Sequence, residues 1–490
     1  MSDIHLDVLD RAPDRPREAC GVFAIWAEEE PARSAYYGLF ALQHRGQESA
    51  GIATTDRTEI LRRTGMGLVS QVFTPEMLAE LDAHAAEGRG GAIGHNRYST
   101  TGESNANNAQ PMQCLFADGP MAVGHNGNLI NAHLIRQDLE AQGHIFRSTS
   151  DTEVVLQLIA ATASTDVEDP MAAALASLQG AFSLVFLFAD RVEVARDPWG
   201  WRPLVLGRTP AGGFVAASET VALDVLGAEF IREVESGEIV TLSDDGFSSR
   251  RFADPAPRRA HCVFEHVYFA SPASRVFGRT VQTVRERLGQ RLWEEAPVDA
   301  DLVTPMPDSG RSAATGYARA SGLPYCEAII PNRYVGRTFI KPTDDERRTA
   351  VRLKLNIIED MVRDRRIIIV DDSIVRGTTT RLKMDQLRAA GAKEIHLRIT
   401  CPPIRQPCYF GVDFAEPSKL IAATHDVEEI RALLGVDSLH FLSLDGLLDI
   451  SSSDENPASE FCTACYSGEY RLTVDPALRK GVFHAGGLSE

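Results

Sequence analysis

Short apolar runs broken by glycine and asparagine open the chain: CGVFAIWA at residues 20–27, then SAGIATT, GAIGHNRYS and MAVGHNGNL. Such runs predict short strands that end in sharp turns, and GHNGNL (124–129) reads as one of those strand-end turns. Apolar positions at helical spacing follow in DTEVVLQLIAATAS (151–164) and residues 170–178, before the strand-like FSLVFLFAD. Strands and helices in separate blocks predict an α+β layered domain.

RRFADPAPRRAHC (250–262) is rich in proline and arginine and reads as a boundary. Beyond it the rhythm changes. VRERLGQRLWEEA (helix), DLVTPMP (strand), RSAATGYARASG (helix), YCEAII (strand), RRIIIVDD (strand), TTRLKMDQLRAAG (helix) and EIHLRIT (strand) alternate as in a parallel α/β sheet.

The chain has 490 residues, which suits two or three domains, and its 44% hydrophobic and 24% charged residues are those of an ordinary globular protein. Its formal charge of -18 argues against non-specific attraction to nucleic acid or an anionic membrane. An anionic substrate must therefore be captured locally. No window approaches the roughly 20 apolar residues of a membrane span. The first nineteen residues lack a secretory apolar core and carry acidic residues, so a cytoplasmic protein is expected. Eight cysteines are too sparse for a disulfide framework, leaving reactivity or metal binding as reasons for any special one.

The strongest local signal is IIIVDDSIVRGTT (367–379). A buried strand ends in Asp371 and Asp372, at the edge where open α/β sheets bind ligands. Ser373, Arg376, Gly377, Thr378 and Thr379 then supply hydroxyls, a tight turn and the backbone N–H groups of a helix start, which together cradle phosphate. Paired acids beside such a cradle suit ribose hydroxyls or a hydrated Mg²⁺. NRYVGRTFI and ERRTAVRLKLN add a local anion trap in an acidic chain, with Arg333, Arg337 and Lys354 as its principal cations. These features predict a site for a phosphoribosyl diphosphate.

Cys20 precedes an apolar strand, and removal of residues 1–19 would give it a free α-amine of pKa roughly 7.7–8.0, suited to a general base. Nucleophile and base would then share one residue. Asn126 and the N–H of Gly127 could serve a tetrahedral oxyanion. Asp151, Arg97 and Arg45 are candidates for the α-amine and α-carboxylate of glutamine. Cys462 and Cys465 form a C-x₂-C pair that needs two more ligands; from residue chemistry alone, structural zinc and an iron-sulfur cluster stand equal.

CGVFAIW, LQHRGQESAGI, GHNRYSTTG, AVGHNGNL, SDTEV, ASETVALD, PDSG, PNRYVGRTFIKP, VRLKLN, VDDSIVRGTT and CTAC resemble, in this order, the amidophosphoribosyltransferase family, from Cys20 to about Tyr470. The resemblance implies an N-terminal-nucleophile (αββα) glutaminase domain joined to an α/β type I phosphoribosyltransferase domain. It implies a propeptide at 1–19, a glutaminase domain at 20–248, a linker at 249–275, a phosphoribosyltransferase domain at 276–440 and a C-terminal segment at 441–490. Glutamine, water and 5-phosphoribosyl diphosphate would give 5-phosphoribosylamine, glutamate and diphosphate, with ammonia passed internally. Carried over by position, Cys20 is the nucleophile, Asn126 and Gly127 the oxyanion hole, and Arg97 and Asp151 the glutamine clamp. Ser309, Asp371 and Asp372 fall on magnesium positions. Cys262, Cys408, Cys462 and Cys465 fall on the ligands of one [4Fe-4S] cluster. Purine nucleotide inhibitors and a homotetramer are further implications.

The chain departs from the family at Trp199 and Trp201, where smaller residues are common, and at Gly310, where a second serine is common. An amidotransferase with another acceptor and a non-catalytic phosphoribosyl diphosphate sensor are the rival readings. The VDDSIVRGTT string opposes the first, and the presence of Cys20, Asn126 and Asp151 the second.

Overall fold

The computed structural model describes residues 20–85, 90–98, 105–116, 118–332, 355–412, 414 and 417–475. The proposed propeptide, Arg333, Arg337 and Lys354 lie outside the described residues.

The N-terminal half holds two stacked sheets. One orders β11-β9-β10-β1-β4-β2-β3, from β1 (Gly21–Glu28), β2 (Ser49–Thr55), β3 (Ile60–Met66), β4 (Gly90–Arg97), β9 (Val205–Arg208), β10 (Phe214–Ala217) and β11 (Glu229–Glu233). The other orders β13-β12-β8-β7-β6-β5, from β5 (Met112–Phe116), β6 (Gly119–Leu129), β7 (Gly180–Leu187), β8 (Val192–Arg196), β12 (Glu238–Ser243) and β13 (Gly246–Arg251). Alternation along β1 sends Val22, Ala24 and Trp26 into the layer between the sheets. Phe23 and Ile25 face the opposite way, under helices that include Pro31–Ala41 and Pro75–His84. β7 does the same, with Val185 and Leu187 between the sheets and Phe182, Leu184 and Phe186 under helices that include Asp151–Ala163 and Pro170–Ala176. Both faces of each central strand are covered, which is why these runs read as continuously apolar. The result is the four-layer αββα arrangement.

GHNGNL departs from its expected turn. It lies inside β6, paired with β7 through Asn126↔Ser183 and Gly127↔Phe182. Glycine is required there by crowding: Gly127 has φ +152, and a Cβ would sit 1.9 Å from the Ala181 carbonyl oxygen. The expected end of the domain at Ser248 falls within β13, whose register with β12 continues to Arg251.

In the C-terminal half β14 (Leu302–Pro305), β15 (Arg366–Asp371), β16 (Glu394–Ile399) and β17 (Ser438–Phe441) form a parallel sheet in that order. Ile367, Ile368, Ile369 and Val370 are all fully buried at its centre. Helices Val281–Glu295, Arg311–Ser321 and Thr378–Ala389 lie where helical spacing predicts them. YCEAII is not one strand. Tyr325 makes only a parallel bridge to Val303, the Ala328 N–H is taken by Thr304 Oγ1 at 3.1 Å, and the strand begins at Ile329. The expected boundary at 440 cuts β17, and Leu447, Ile450, Phe461 and Tyr466 pack into the same core as the sheet. His261–Cys262 pairs in parallel with Phe461–Cys462, tying the linker to the C-terminal segment. Among the described residues, no helix is long and apolar enough to cross a membrane.

Candidate active sites and their relatives

β1 and β4 are antiparallel neighbours with Gly21 opposite Asn96, so Cys20 meets the end of β4. The Tyr98 N–H donates to Cys20 Sγ at 3.4 Å, and the thiol donates to the Tyr98 carbonyl at 3.3 Å. Burial pushes this thiol up to about 11, against opposing pulls from the Tyr98 backbone and the Arg97 guanidinium. A neutral thiol is therefore its resting form. Asp151 is the first residue of its helix, behind the Ser150 cap, and accepts from the Leu129 N–H at 3.1 Å. Burial opposes its ionisation, but His125 at 3.5 Å, the Leu129 N–H and Arg97 hold it below the usual carboxylate range. It is an anion at neutral pH.

Arg97 and Asp151 both act electrostatically on the Cys20 thiol, so these three expected residues share one site. β5 pairs with β6 only as far as Met112↔Val123, leaving one edge of residues 124–129 unladdered. On that edge the His125 N–H bonds Gln110 Oε1 at 2.8 Å and the Leu129 N–H bonds Asp151. Strand alternation points the Gly127 N–H the same way. The Asn126 carboxamide is buried and under-committed: its Nδ2 makes one long bond of 3.5 Å to Ser218 Oγ, and its Oδ1 has no partner among the described residues.

Arg45 is not placed as expected for a glutamine contact. Its guanidinium is fully buried between Glu219 and Glu265, and its Nε donates to the Cys20 carbonyl at 3.2 Å. The two carboxylates hold its charge strongly in place. Sequence reasoning missed this because the partners lie 174 and 220 residues away. His125 carries no separate signal in the sequence, because it stands beside Asn126 within GHNGNL and its partner Asp151 is 26 residues away.

At the second site, β15 delivers Asp371 and Asp372 to the carboxyl edge of the sheet, both buried. Asp372 accepts from the hydroxyls of Ser309 and Ser373, bringing the PDSG turn onto the acidic pair. Gly310 permits this approach, since a Cβ there would lie 2.2 Å from the Val370 carbonyl oxygen. Gly377, at φ +79, starts the helix Thr378–Ala389, whose first turn carries no side-chain cap. Uncapped N–H groups at a helix start favour an anion. Ser373 is buried beside them, Arg376 and Thr379 are half-buried, and Thr378 is exposed.

Comparison with known proteins agrees along the whole chain. A glutamine amidotransferase domain model matches residues 95–225. The amidophosphoribosyltransferase of Synechococcus elongatus is 46% identical over 98% of this chain and 96% of its own length. That of Methanothermobacter thermautotrophicus is 48% identical over 93% and 94%. The chain belongs to the amidophosphoribosyltransferase family.

Amidophosphoribosyltransferases are glutamine amidotransferases that carry out the first step of purine biosynthesis, and that is the activity of this enzyme. A solved structure described as the allosteric regulatory enzyme of purine biosynthesis superposes with a TM-score of 0.87 at 43% identity, covering 93% of this chain and 97% of that one. The Bacillus subtilis amidotransferase, solved with ADP and GMP, gives 0.86 at 43% identity over 93% and 98%. The N-terminal-nucleophile glutaminase and phosphoribosyltransferase folds are thereby shared.

Four cysteines of the chain lie near one another, close to residues 408–410 that contact β6 through Asn128. Cys262 faces Cys462 across the parallel bridge, and Cys465 is buried near Cys408, Cys262, Cys462 and Cys401. Burial raises all four thiols, Cys262 to about 12. Trp201, one of the family departures, is fully buried here and stacks on Phe410 with ring centroids 4.3 Å apart. Cys462 packs in the same cluster, near the Trp201 indole. No group of three or more His, Cys, Asp or Glu among the described residues is spaced to hold a single metal ion.

Proposed function

We propose that glutamine is hydrolysed at Cys20 and that the ammonia is used at the cradle following β15. The single observation behind this is the convergence of Cys20, Arg97 and Asp151 beside the open edge of β6. Cys20 Sγ attacks the glutamine amide, the Asn126 carboxamide and the Gly127 N–H receive the oxyanion, and Asp151 and Arg97 hold the α-amine and α-carboxylate. Removal of residues 1–19 provides the α-amine that takes the thiol proton. Such a base is needed, because a thiol held near 11 is almost wholly protonated at neutral pH. Arg45 positions the nucleophile's backbone.

At the second site Ser373, Arg376, Gly377, Thr378 and Thr379 hold the 5-phosphate, and Asp371 and Asp372 take the ribose hydroxyls or magnesium. Mg²⁺ fits, since it prefers one or two carboxylates with waters and phosphate oxygens, and two buried acids with the Ser309 hydroxyl stand together. When bound, it would neutralise the diphosphate leaving group. Arg333, Arg337 and Lys354 are proposed to hold that diphosphate. Ammonia released into water would become ammonium, which has no lone pair, so passage between the sites is internal.

The four thiols fit a [4Fe-4S] cluster, whose corners set its ligands farther apart than a single ion does. Their burial, the pairing of Cys262 with Cys462 and the packing of Cys408 and Cys462 in one cluster with Trp201 support that reading. Regulation by purine nucleotides is supported by the solved Bacillus subtilis relative, which holds ADP and GMP. A homotetramer and the domain limits given above complete the proposal.

Cys20→Ala tests the assignment. Glutamine-dependent synthesis should vanish while ammonia-dependent synthesis stays within about twofold; loss of both in a folded variant contradicts a two-site enzyme. Iron and sulfide analysis of anaerobically prepared protein should find four irons per chain, and zinc in their place would overturn the cluster.

A further inference from the structure

Between the two halves lie four fully buried charged side chains, Arg45, Arg202, Glu219 and Glu265, none of which is proposed above to touch a substrate. Glu265 opens the short π-helical turn Glu265–Phe269. Its carboxylate accepts from Arg45 at 2.8 and 2.9 Å and from Arg202 at 3.1 Å. Each arginine carries the connection onward. Arg45 Nε donates to the Cys20 carbonyl at 3.2 Å, and Arg202 Nη2 donates to the Phe410 carbonyl at 2.9 Å.

Phe410 leads into Gly411, whose backbone (φ +98) lies against the oxyanion strand. A Cβ on Gly411 would come 3.1 Å from the Gly127 carbonyl carbon and 3.0 Å from Arg202 Nη2. Asn128 fastens the same contact by donating to the Tyr409 carbonyl at 2.9 Å. One carboxylate thus reaches the nucleophile's backbone by one arm and the backing of Gly127 by the other. Buried ion pairs of this kind add little net stability relative to apolar packing.

We propose that Glu265 is a positioning residue for the glutaminase, setting Cys20 in register with Gly127 through Arg45 on one arm and Arg202 with residues 408–411 on the other. The inference rests on the reading of Cys20 as nucleophile and Gly127 as oxyanion donor. Oxyanion donors work only when held about 2.7–3.1 Å from the developing charge, and a misplacement of about 1 Å can cost roughly 100-fold. Arg97 and Asp151 make no contact with Glu265, so glutamine affinity is spared. The turnover step bears the effect.

The test is Glu265→Gln in the full-length enzyme, assayed with glutamine and with ammonia. Glutamine-dependent kcat should fall roughly tenfold or more, with KM for glutamine and the ammonia-dependent kcat each within about twofold. Unchanged glutamine kcat, or a rise in KM alone, overturns the proposal. Gly411→Ala enters from the other arm without altering a charge and covers the case in which Glu265→Gln fails to fold. It should give the same split, and wild-type glutamine kcat in that variant is fatal to the idea. Cys20→Ala separates the two levels: if it retains glutamine-dependent synthesis, the underlying assignment fails. If Cys20→Ala is inactive while both other variants are normal, only the positioning role fails.

Discussion

At the carboxyl edge of β15, Asp372 already holds Ser309 and Ser373 by hydrogen bonds, and an uncapped helix start stands beside them. At the head of β1, by contrast, Cys20 is a buried, protonated thiol preceded by nineteen residues that occupy its would-be amine. The proposed phosphate cradle is preorganised by local sequence, with strand, turn and helix start following one another within residues 366–380 and Ser309 reaching it from 63 residues away. The proposed glutamine site is assembled from β1, β4, β6 and the helix Asp151–Ala163, and the base proposed for it requires a cut in the chain. A site built from contiguous residues can be complete on folding, whereas one that needs a new chain terminus acquires its chemistry afterwards.

Three variants or treatments probe this contrast, taken from the largest expected effect. Asp372→Asn removes the carboxylate that both serines contact. Synthesis should fall at least about 100-fold with either nitrogen donor while glutamine hydrolysis persists, and a loss confined to glutamine would reverse the assignment of the two sites. Asp151→Asn removes an anion proposed for the glutamine α-amine; a charged hydrogen bond of about 1.5–3 kcal/mol predicts a glutamine KM roughly 10–100-fold higher, with ammonia use unaffected. An unchanged KM would place the α-amine elsewhere.

The third concerns the thiol itself. With its pKa raised to about 11, the thiolate fraction of unprocessed Cys20 climbs about tenfold per pH unit through neutrality. Iodoacetamide labelling of that residue should follow the same slope from about pH 7 to 9. A flat rate would mean the unprocessed thiol is already activated.

Legibility in the sequence follows the same division. Residues 367–379 could be read as a cradle because strand, acids, glycine and hydroxyls are consecutive, and the broad fold class of both halves followed from the change of rhythm after the proline- and arginine-rich linker. What could not be read depends on distant partners. Arg45 looked like a substrate contact until Glu219 and Glu265 enclosed it, and Gly127 looked like a turn residue because glycine marks turns and close approaches alike. Trp199 and Trp201 carried no reading at all. They pack with Phe410 and Tyr470 beside Cys408 and Cys462, a cluster drawn from segments more than 200 residues apart. The proposed limits at 248 and 440 fall within paired strands, and no local signal marks the end of a ladder.

N-terminal sequencing of the active enzyme tests the account most directly. A mature chain beginning at Cys20, with glutamine-dependent activity appearing in step with that cleavage, is the predicted result. Full glutamine-dependent activity in a chain still beginning at Met1 would contradict it, because the Cys20 nitrogen would then be an amide and could take no proton from the thiol.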